Sequence, residues 1–253
     1  MSQHYLQHRA YRCALISEAI YDRRCLANFG LPEASDSQVK FLFGKSSQEL
    51  FANCPSGFRG MLYHDTHDDS FILAFRGSKE PADWFANIKQ YFGLTAPHYE
   101  KAKDIAKCYT GNGRLYFTGH SLGGGLATVA AIFSELKACV FNPPRIHEDT
   151  IAGFDISDCN RRVRRYVVKG EWLDHYGIFN KPFRIWTHEI GKKILLDVPV
   201  TWEPTFPIGV AIVCLLHIDH LFGGRVARPL RRLRIHLMDA VLEGLRRRFQ
   251  SGQ

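Results

Sequence analysis

The chain has 253 residues and a mass of 28.9 kDa, with 45% hydrophobic and 23% charged residues, which is ample material for a core and excludes a disordered or fibrous chain. Its formal charge of +8 and pI near 9.2 allow anionic partners, but the excess sits late: RRVRR at 161–165, then eight arginines from Arg225 to Arg248 against only Asp239 and Glu243. Those arginines lack interleaved aromatics or a recognisable module, which argues against nucleic acid as a partner.

The N-terminus, MSQHYLQHRAYRCALISEAIYDRR, lacks the uninterrupted apolar core of a secretory signal. The expectation is a protein made in the cytoplasm without a signal peptide or transmembrane helix, placed peripherally at membranes or exported by a signal-independent route. A helix is predicted from about His4 to Ala27, followed by a polar loop, PEASDS, at 32–37. FRGMLYH and FILAFRG flank a turn, HDTHDDS at 64–70, at hairpin distance.

Next come ADWFANIKQYF after Pro81, helix-like with Pro near its first turn, and a more polar helix, HYEKAKDIAKCY, at 98–109. RLYFTG reads as a strand, LGGGLATVAAIFSEL as a helix, and KACVFN and RVRRYVVKG as further strands. Strands alternating with helices predict an α/β fold with a largely parallel sheet flanked by helices, the early hairpin adding antiparallel strands at one edge. We expect one domain over residues 1–253.

The longest apolar run, IGVAIVCLL at 208–216, is far shorter than the roughly 20 residues that span a bilayer. The final segment carries Leu230, Leu233, Leu237, Val241, Leu245 and Phe249 at three- and four-residue spacing, which predicts a basic amphipathic helix at about 229–250. It docks on the sheet with a solvated basic face, or its arginines also meet anionic lipid headgroups. Seven cysteines form no CxxC pair and no His-linked metal spacing, and their odd count leaves a free thiol, so no metal and no cofactor are expected.

One stretch carries chemistry. YFTGHSLGGG at 116–125 places Ser121 between two glycines where a strand passes into a small-residue helix. Such a turn strains its central residue and leaves no room for flanking side chains, so the hydroxyl stands above the sheet edge. The helix N-terminus then points N–H groups at the developing oxyanion, and Leu122 supplies one of them. The motif lacks the Lys-Ser/Thr ending of a phosphate-binding P-loop and the GxGxxG spacing of a dinucleotide site.

GHSLGGGLA resembles the nucleophile elbow of the class 3, fungal-lipase-like lipases of the α/β-hydrolase superfamily, in their bacterial phospholipase-like branch. LAFRGSKEPADWFANI at 73–88 resembles that family's second signature, a strand ending in an Arg-Gly-Ser turn before an Asp-Trp helix. The resemblance implies that Ser78 gives the second oxyanion donor through its backbone N–H. VFNPPR at 140–145 resembles the family's Phe-Gly-x-Pro-Arg strand end, with Asn142 where Gly is usual.

The same resemblance implies an acid after the next strand and a histidine near the C-terminus. In YVVKGEWLDHYG, at 166–177, Glu171 aligns with the acid, and Asp174 is the alternate. RIHLMDAVLEGL offers His236 as the base, and LLHIDHLFGG offers His220 and His217. A helix begun at Pro229 would be an awkward mount for His236, whereas one begun near His236 would not. His120 reads as a packing residue of the elbow.

The function implied is a serine esterase acting on carboxylic esters of lipids, preferably phospholipids given the basic C-terminus. The alternatives are a small-ester hydrolase, thioesterase or acyltransferase on the same scaffold, or an inactive member that binds lipid or protein. The oligomeric state is not legible.

Overall fold

The computed structural model describes residues 3–77, 97–169, 187–198 and 227–252. The strands are β1 (Gly60–Asp65), β2 (Ser70–Phe75), β3 (Leu115–His120), β4 (Lys137–Phe141), β5 (Ile146–His147), β6 (Val163–Val168), β7 (Thr187–His188) and β8 (Lys192–Leu196). The main sheet runs β1-β2-β3-β4-β6-β8, while β5 and β7 pair separately. β1 and β2 form the antiparallel hairpin, with Asp65 opposite Ser70, and the other pairings of the main sheet are parallel. The ends of β2, β3 and β4 share one edge, with Phe75 opposite Gly119 and His120 opposite Phe141.

The helices are α1 (Arg9–Ala19), α2 (Asp36–Phe43), α3 (Ser47–Leu50), α4 (Pro97–Lys107), α5 (Leu122–Ser134), α6 (Ile156–Arg162) and α7 (Ala227–Gln250). Every residue of β2 is buried because both faces of the sheet are covered. Phe71, Leu73 and Phe75 join a core with α2, α4 and α5, while Ile72 and Ala74 join a second with α1 and α7. Period-two alternation thus feeds two cores from one strand.

Helix α1 runs alongside the strands. At its start Arg12 donates to Asp65 at 2.6 Å, beside the hairpin turn, and past its end the Tyr21 hydroxyl lies 3.1 Å from His120 Nδ1, at the edge where β3 ends. Helix α7 lies antiparallel to it: Arg246 Nε donates to the Tyr11 hydroxyl at 3.1 Å, and the Phe249 ring stacks on His8 at 3.8 Å. Of α7 up to residue 237 only the backbone course is described.

Three expectations change. The N-terminal helix read as far as Ala27 ends at Ala19, because Arg23 takes a left-handed φ of 57° and the Arg24 N–H turns back to the Ala19 carbonyl at 3.1 Å. That reversal brings Leu26 and Leu31 into the second core. PEASDS ends in a helix start rather than a plain loop, since Ser35 caps α2 in a reciprocal pair with Gln38, and Ser46 does the same for α3 with Glu49.

RRVRR is split rather than forming one basic patch. Arg161 and Arg162 end α6 and pair with Asp158 at 3.1 and 2.8 Å, whereas Arg165 turns inward on β6 and pairs with Glu189. The helix after Pro81 and the apolar run at 208–216 lie outside the described residues. Among the described residues no helix is long and apolar enough to cross a membrane.

Candidate active site

The edge where β2, β3 and β4 end is built around Ser121. Its backbone has φ 54° and ψ −128°, a sparsely populated conformation that costs on the order of 1–3 kcal/mol for a side-chain-bearing residue. The surroundings enforce it: the Ser121 N–H donates to Phe141 O at 3.0 Å, and the Ser121 carbonyl accepts from Gly124 and Gly125 at 2.8 and 3.1 Å. The hydroxyl makes no capping bond to α5 and is half-buried at the surface of the edge.

The flanking glycines are steric requirements. A Cβ on Gly119 would lie 2.3 Å from the Gly123 carbonyl, and one on Gly123 would lie 2.1 Å from Phe75 O. Strand, turn and helix therefore pack backbone to backbone. Leu122 opens α5, so its N–H has no acceptor one turn earlier within the helix, and the helix dipole adds positive potential there. Ser121 and the Leu122 N–H thus stand side by side at the N-terminus of α5.

The end of β2 is fastened to the same turn. Arg76 is buried, and its guanidinium donates to Gly57 O at 2.7 Å. Gly77 follows so tightly that a Cβ would lie 2.1 Å from the Tyr21 hydroxyl and 2.5 Å from His120 O. Ser78 is the next residue and lies outside the described residues. His120 is itself buried against Tyr21, in keeping with a packing role.

On the other side, β4 ends at Phe141 and the departure at Asn142 has a physical reason. Its φ is 44°, a left-handed conformation in which glycine is free and asparagine is among the most tolerant of other residues. Asn142 Oδ1 accepts the Val168 N–H at 3.0 Å, joining the ends of β4 and β6.

Beyond it, Arg145 reaches Thr187 Oγ1 at 3.0 Å and Glu189 at 2.9 Å, while Arg165 also binds Glu189. Burial alone would raise the Glu189 carboxyl, but Arg165 and then Arg145 hold it below the usual carboxylate range. This clamp was not anticipated from the sequence, where the three residues lie far apart. Tyr21 likewise carried no local signal.

The remaining site residues divide. Glu171 and Asp174, and His217 and His220, lie outside the described residues. His236 falls within α7, which begins at Ala227, so the awkward mount is the one found; its side chain is not described. Among the described residues no group of three or more His, Cys, Asp or Glu side chains converges to hold a metal ion.

Comparison with known proteins agrees with this architecture. A family model for the Tle-like phospholipase domain, phospholipase-like, matches residues 12–178. An extracellular phospholipase A1 of Serratia liquefaciens is 31% identical over 172 residues, covering 64% of this chain and 53% of that protein; the chain thus spans about half the length of this curated relative.

Among solved structures, a fungal lipase–inhibitor complex solved as a model for interfacial activation shares the fold with a TM-score of 0.51 at 15% identity, covering 78% of this chain and 82% of that one. The Rhizomucor miehei lipase propeptide complex gives a TM-score of 0.44 at 16% identity, covering 74% and 66%. With a family match over more than half its length, the chain belongs to the Tle-like phospholipase domain family, and its mostly parallel sheet has the α/β-hydrolase fold shared with the fungal lipase.

Proposed function

We propose that the chain hydrolyses carboxylic ester bonds of phospholipids, with Ser121 as nucleophile, His236 as base and Glu171 as the acid that orients it. The observation that carries this reading is the backbone of Ser121, held at φ 54° and ψ −128° at the mouth of α5. Strain of this kind persists where the surroundings over-determine it and function uses it.

Ser121 Oγ adds to the acyl carbonyl while the imidazole takes its proton. The N–H groups of Leu122 and Ser78 stabilise the oxyanion, each such donor contributing about 10²- to 10³-fold in rate. Collapse expels the lysophospholipid alcohol, which receives the proton from the imidazolium. Water, deprotonated by the same imidazole, then releases the fatty acid and restores Ser121.

The course of α7 supports His236. Asp239 lies near Glu18, adding to the burial that raises the Glu18 carboxyl against the opposing Arg24, and His236 stands one turn further up the helix. That is the level of Tyr21, whose hydroxyl meets His120 beside Ser121. Glu171 follows β6, whose end is tied to β4 through Asn142.

The relatives favour phospholipid over triglyceride, and the Serratia relative's name makes the sn-1 ester the first position to test. Arg246 packs on Tyr11, near the start of α1, and the helix runs about 12 Å from there to its end at Ala19, short of Tyr21. A membrane facing Ser121 is therefore served by the arginines in the first half of α7, not by those in its last turn.

The test is hydrolysis of phospholipid vesicles and of p-nitrophenyl esters of short and long chain by His236→Ala, His220→Ala, His217→Ala, Glu171→Gln and Asp174→Asn. Loss confined to the His236 and Glu171 variants supports the assignment. Full activity of His236→Ala with loss in His220→Ala or His217→Ala would move the base.

A further inference from the structure

Helix α1 lays a face of small side chains on the sheet. Ala10, Cys13, Ala14 and Ser17 recur at three- and four-residue spacing and all are buried, so the helix backbone comes close to the strands. Beneath it, Thr118, Cys139 and Arg164 stand opposite one another on β3, β4 and β6, and such register partners project from the same face of a sheet. Thr118 marks where helix and sheet meet. Its hydroxyl lies 2.9 Å from Ser17 Oγ and 2.8 Å from the Cys139 carbonyl, with the Cys13 carbonyl at 3.4 Å.

This packing sets Cys13 of the helix against Cys139 of the strand, and the two free thiols share a hydrogen bond. Their surroundings differ. Cys13 is fully buried, and its bond to Cys139 together with that burial raises its pKa well above the ordinary thiol value. Cys139 is half-buried. The hydrogen bond from Cys13, joined by Arg9, Arg164 and Arg12, holds its thiol below the ordinary value against the opposing effect of burial. A partly exposed thiol inclined to ionise, beside a protonated one, is suited to attack an oxidant and then be resolved by its neighbour.

We propose that Cys13 and Cys139 are a redox modification site, oxidised by a low-molecular-weight disulfide to a bond that staples α1 to β4. The Cys139 sulfur attacks one sulfur of the oxidant, whose S–S bond breaks, and its other half leaves as a thiolate that takes up a proton. Once Cys139 is in the mixed disulfide, the partner that raised the Cys13 thiol no longer carries charge. Cys13 then gives up its proton and attacks Cys139 Sγ, expelling the second half of the oxidant as a thiol. Two electrons and two protons have passed from the protein to the oxidant.

The staple closes a loop from 13 to 139, about half the chain, and so restricts the unfolded state. It also joins two elements that reach the active-site edge. Strand β4 ends at Phe141, whose carbonyl accepts the Ser121 N–H, and α1 leads to Tyr21 against His120.

The experiment treats the full chain at neutral pH with reduced or with oxidised glutathione, alkylates the remaining thiols, digests without reduction and maps the peptides by mass spectrometry. The Tm of each form is read by circular dichroism. In the oxidised sample the Cys13 and Cys139 peptides are expected to be joined, with Tm higher by about 5–15 °C, and dithiothreitol should reverse both. Cys13→Ala should stop with glutathione on Cys139 and no such rise, whereas Cys139→Ala should leave Cys13 unmodified.

Folded wild type in which Cys13 and Cys139 stay unjoined under excess oxidised glutathione would overturn the inference. So would a bond that forms only in urea, or one that leaves Tm unchanged. These outcomes are read on wild type alone, so they decide the matter even where a variant fails to fold.

Discussion

Gly123 lies against the end of β2 so closely that a Cβ built on it would stand 2.1 Å from the carbonyl oxygen of Phe75. Backbone, not a flexible side chain, occupies that space, so the clash cannot be relieved locally. Gly123→Ala is expected to cost about 3 kcal/mol or more of stability, the upper range for overpacking, and to abolish reaction at Ser121. Urea unfolding of Gly123→Ala with an unchanged midpoint would contradict the close approach.

A second prediction concerns the far end of α1. Arg12 and Asp65 are 3% and 0% exposed and pair at 2.6 Å. Removing one partner strands the other, at about 3–5 kcal/mol. Arg12→Met should lose that much by urea unfolding, and Arg12→Met/Asp65→Asn should recover part of it. A double variant that is merely additive would show that the two charges do not depend on each other.

Glu18 supplies a pH dependence. Burial raises its carboxyl above the ordinary value of 4.5, Arg24 opposes this, and Asp239 adds to it. The folded state therefore binds the proton more tightly than the unfolded chain, so this group's contribution to stability is fully present below pH 4.5 and is lost as pH rises through the raised folded value. Glu18→Gln should remove that slope from the unfolding free energy. Parallel curves for wild type and Glu18→Gln would refute it.

The two halves of α7 should behave differently at a membrane. Replacing Arg231, Arg232 and Arg234 by Gln is expected to weaken binding to phosphatidylglycerol vesicles, read by sedimentation, by up to about 100-fold, at about 1 kcal/mol per charge near the surface. Replacing Arg246, Arg247 and Arg248 should leave it near wild type, because Arg246 packs on Tyr11 and Arg247 pairs with Glu243. The reverse ranking would place the membrane at the other end of the helix.

Much of the site's frame was legible because local chemistry dictates it. GHSLGG announces a strand-turn-helix in which each glycine answers a specific clash, and the hairpin of β1 and β2 is written in two β-rich segments at hairpin distance around a polar turn. Asn142 was visible as a departure, and its left-handed φ explains it. The Ser35/Gln38 and Ser46/Glu49 capping boxes were present as Ser-x-x-Gln and Ser-x-x-Glu, but a turn-forming composition masked the first.

What the sequence hid depends on distant partners. The end of α1 at Ala19 is set by the need of Leu26 and Leu31 to reach the second core. The inward turn of Arg165 follows from strand alternation meeting Glu189. The choice among three histidines and two acids depends on which of them reaches Ser121, and no local pattern encodes that.

The most direct test of the central claim is release of fatty acid from mixed phosphatidylethanolamine and phosphatidylglycerol vesicles by wild type and by Ser121→Ala, with equal folding checked by circular dichroism. The account predicts release by wild type and a loss of at least about 10³-fold in Ser121→Ala, the scale of removing a catalytic nucleophile. Equal release by the two proteins would show that Ser121 is not the nucleophile.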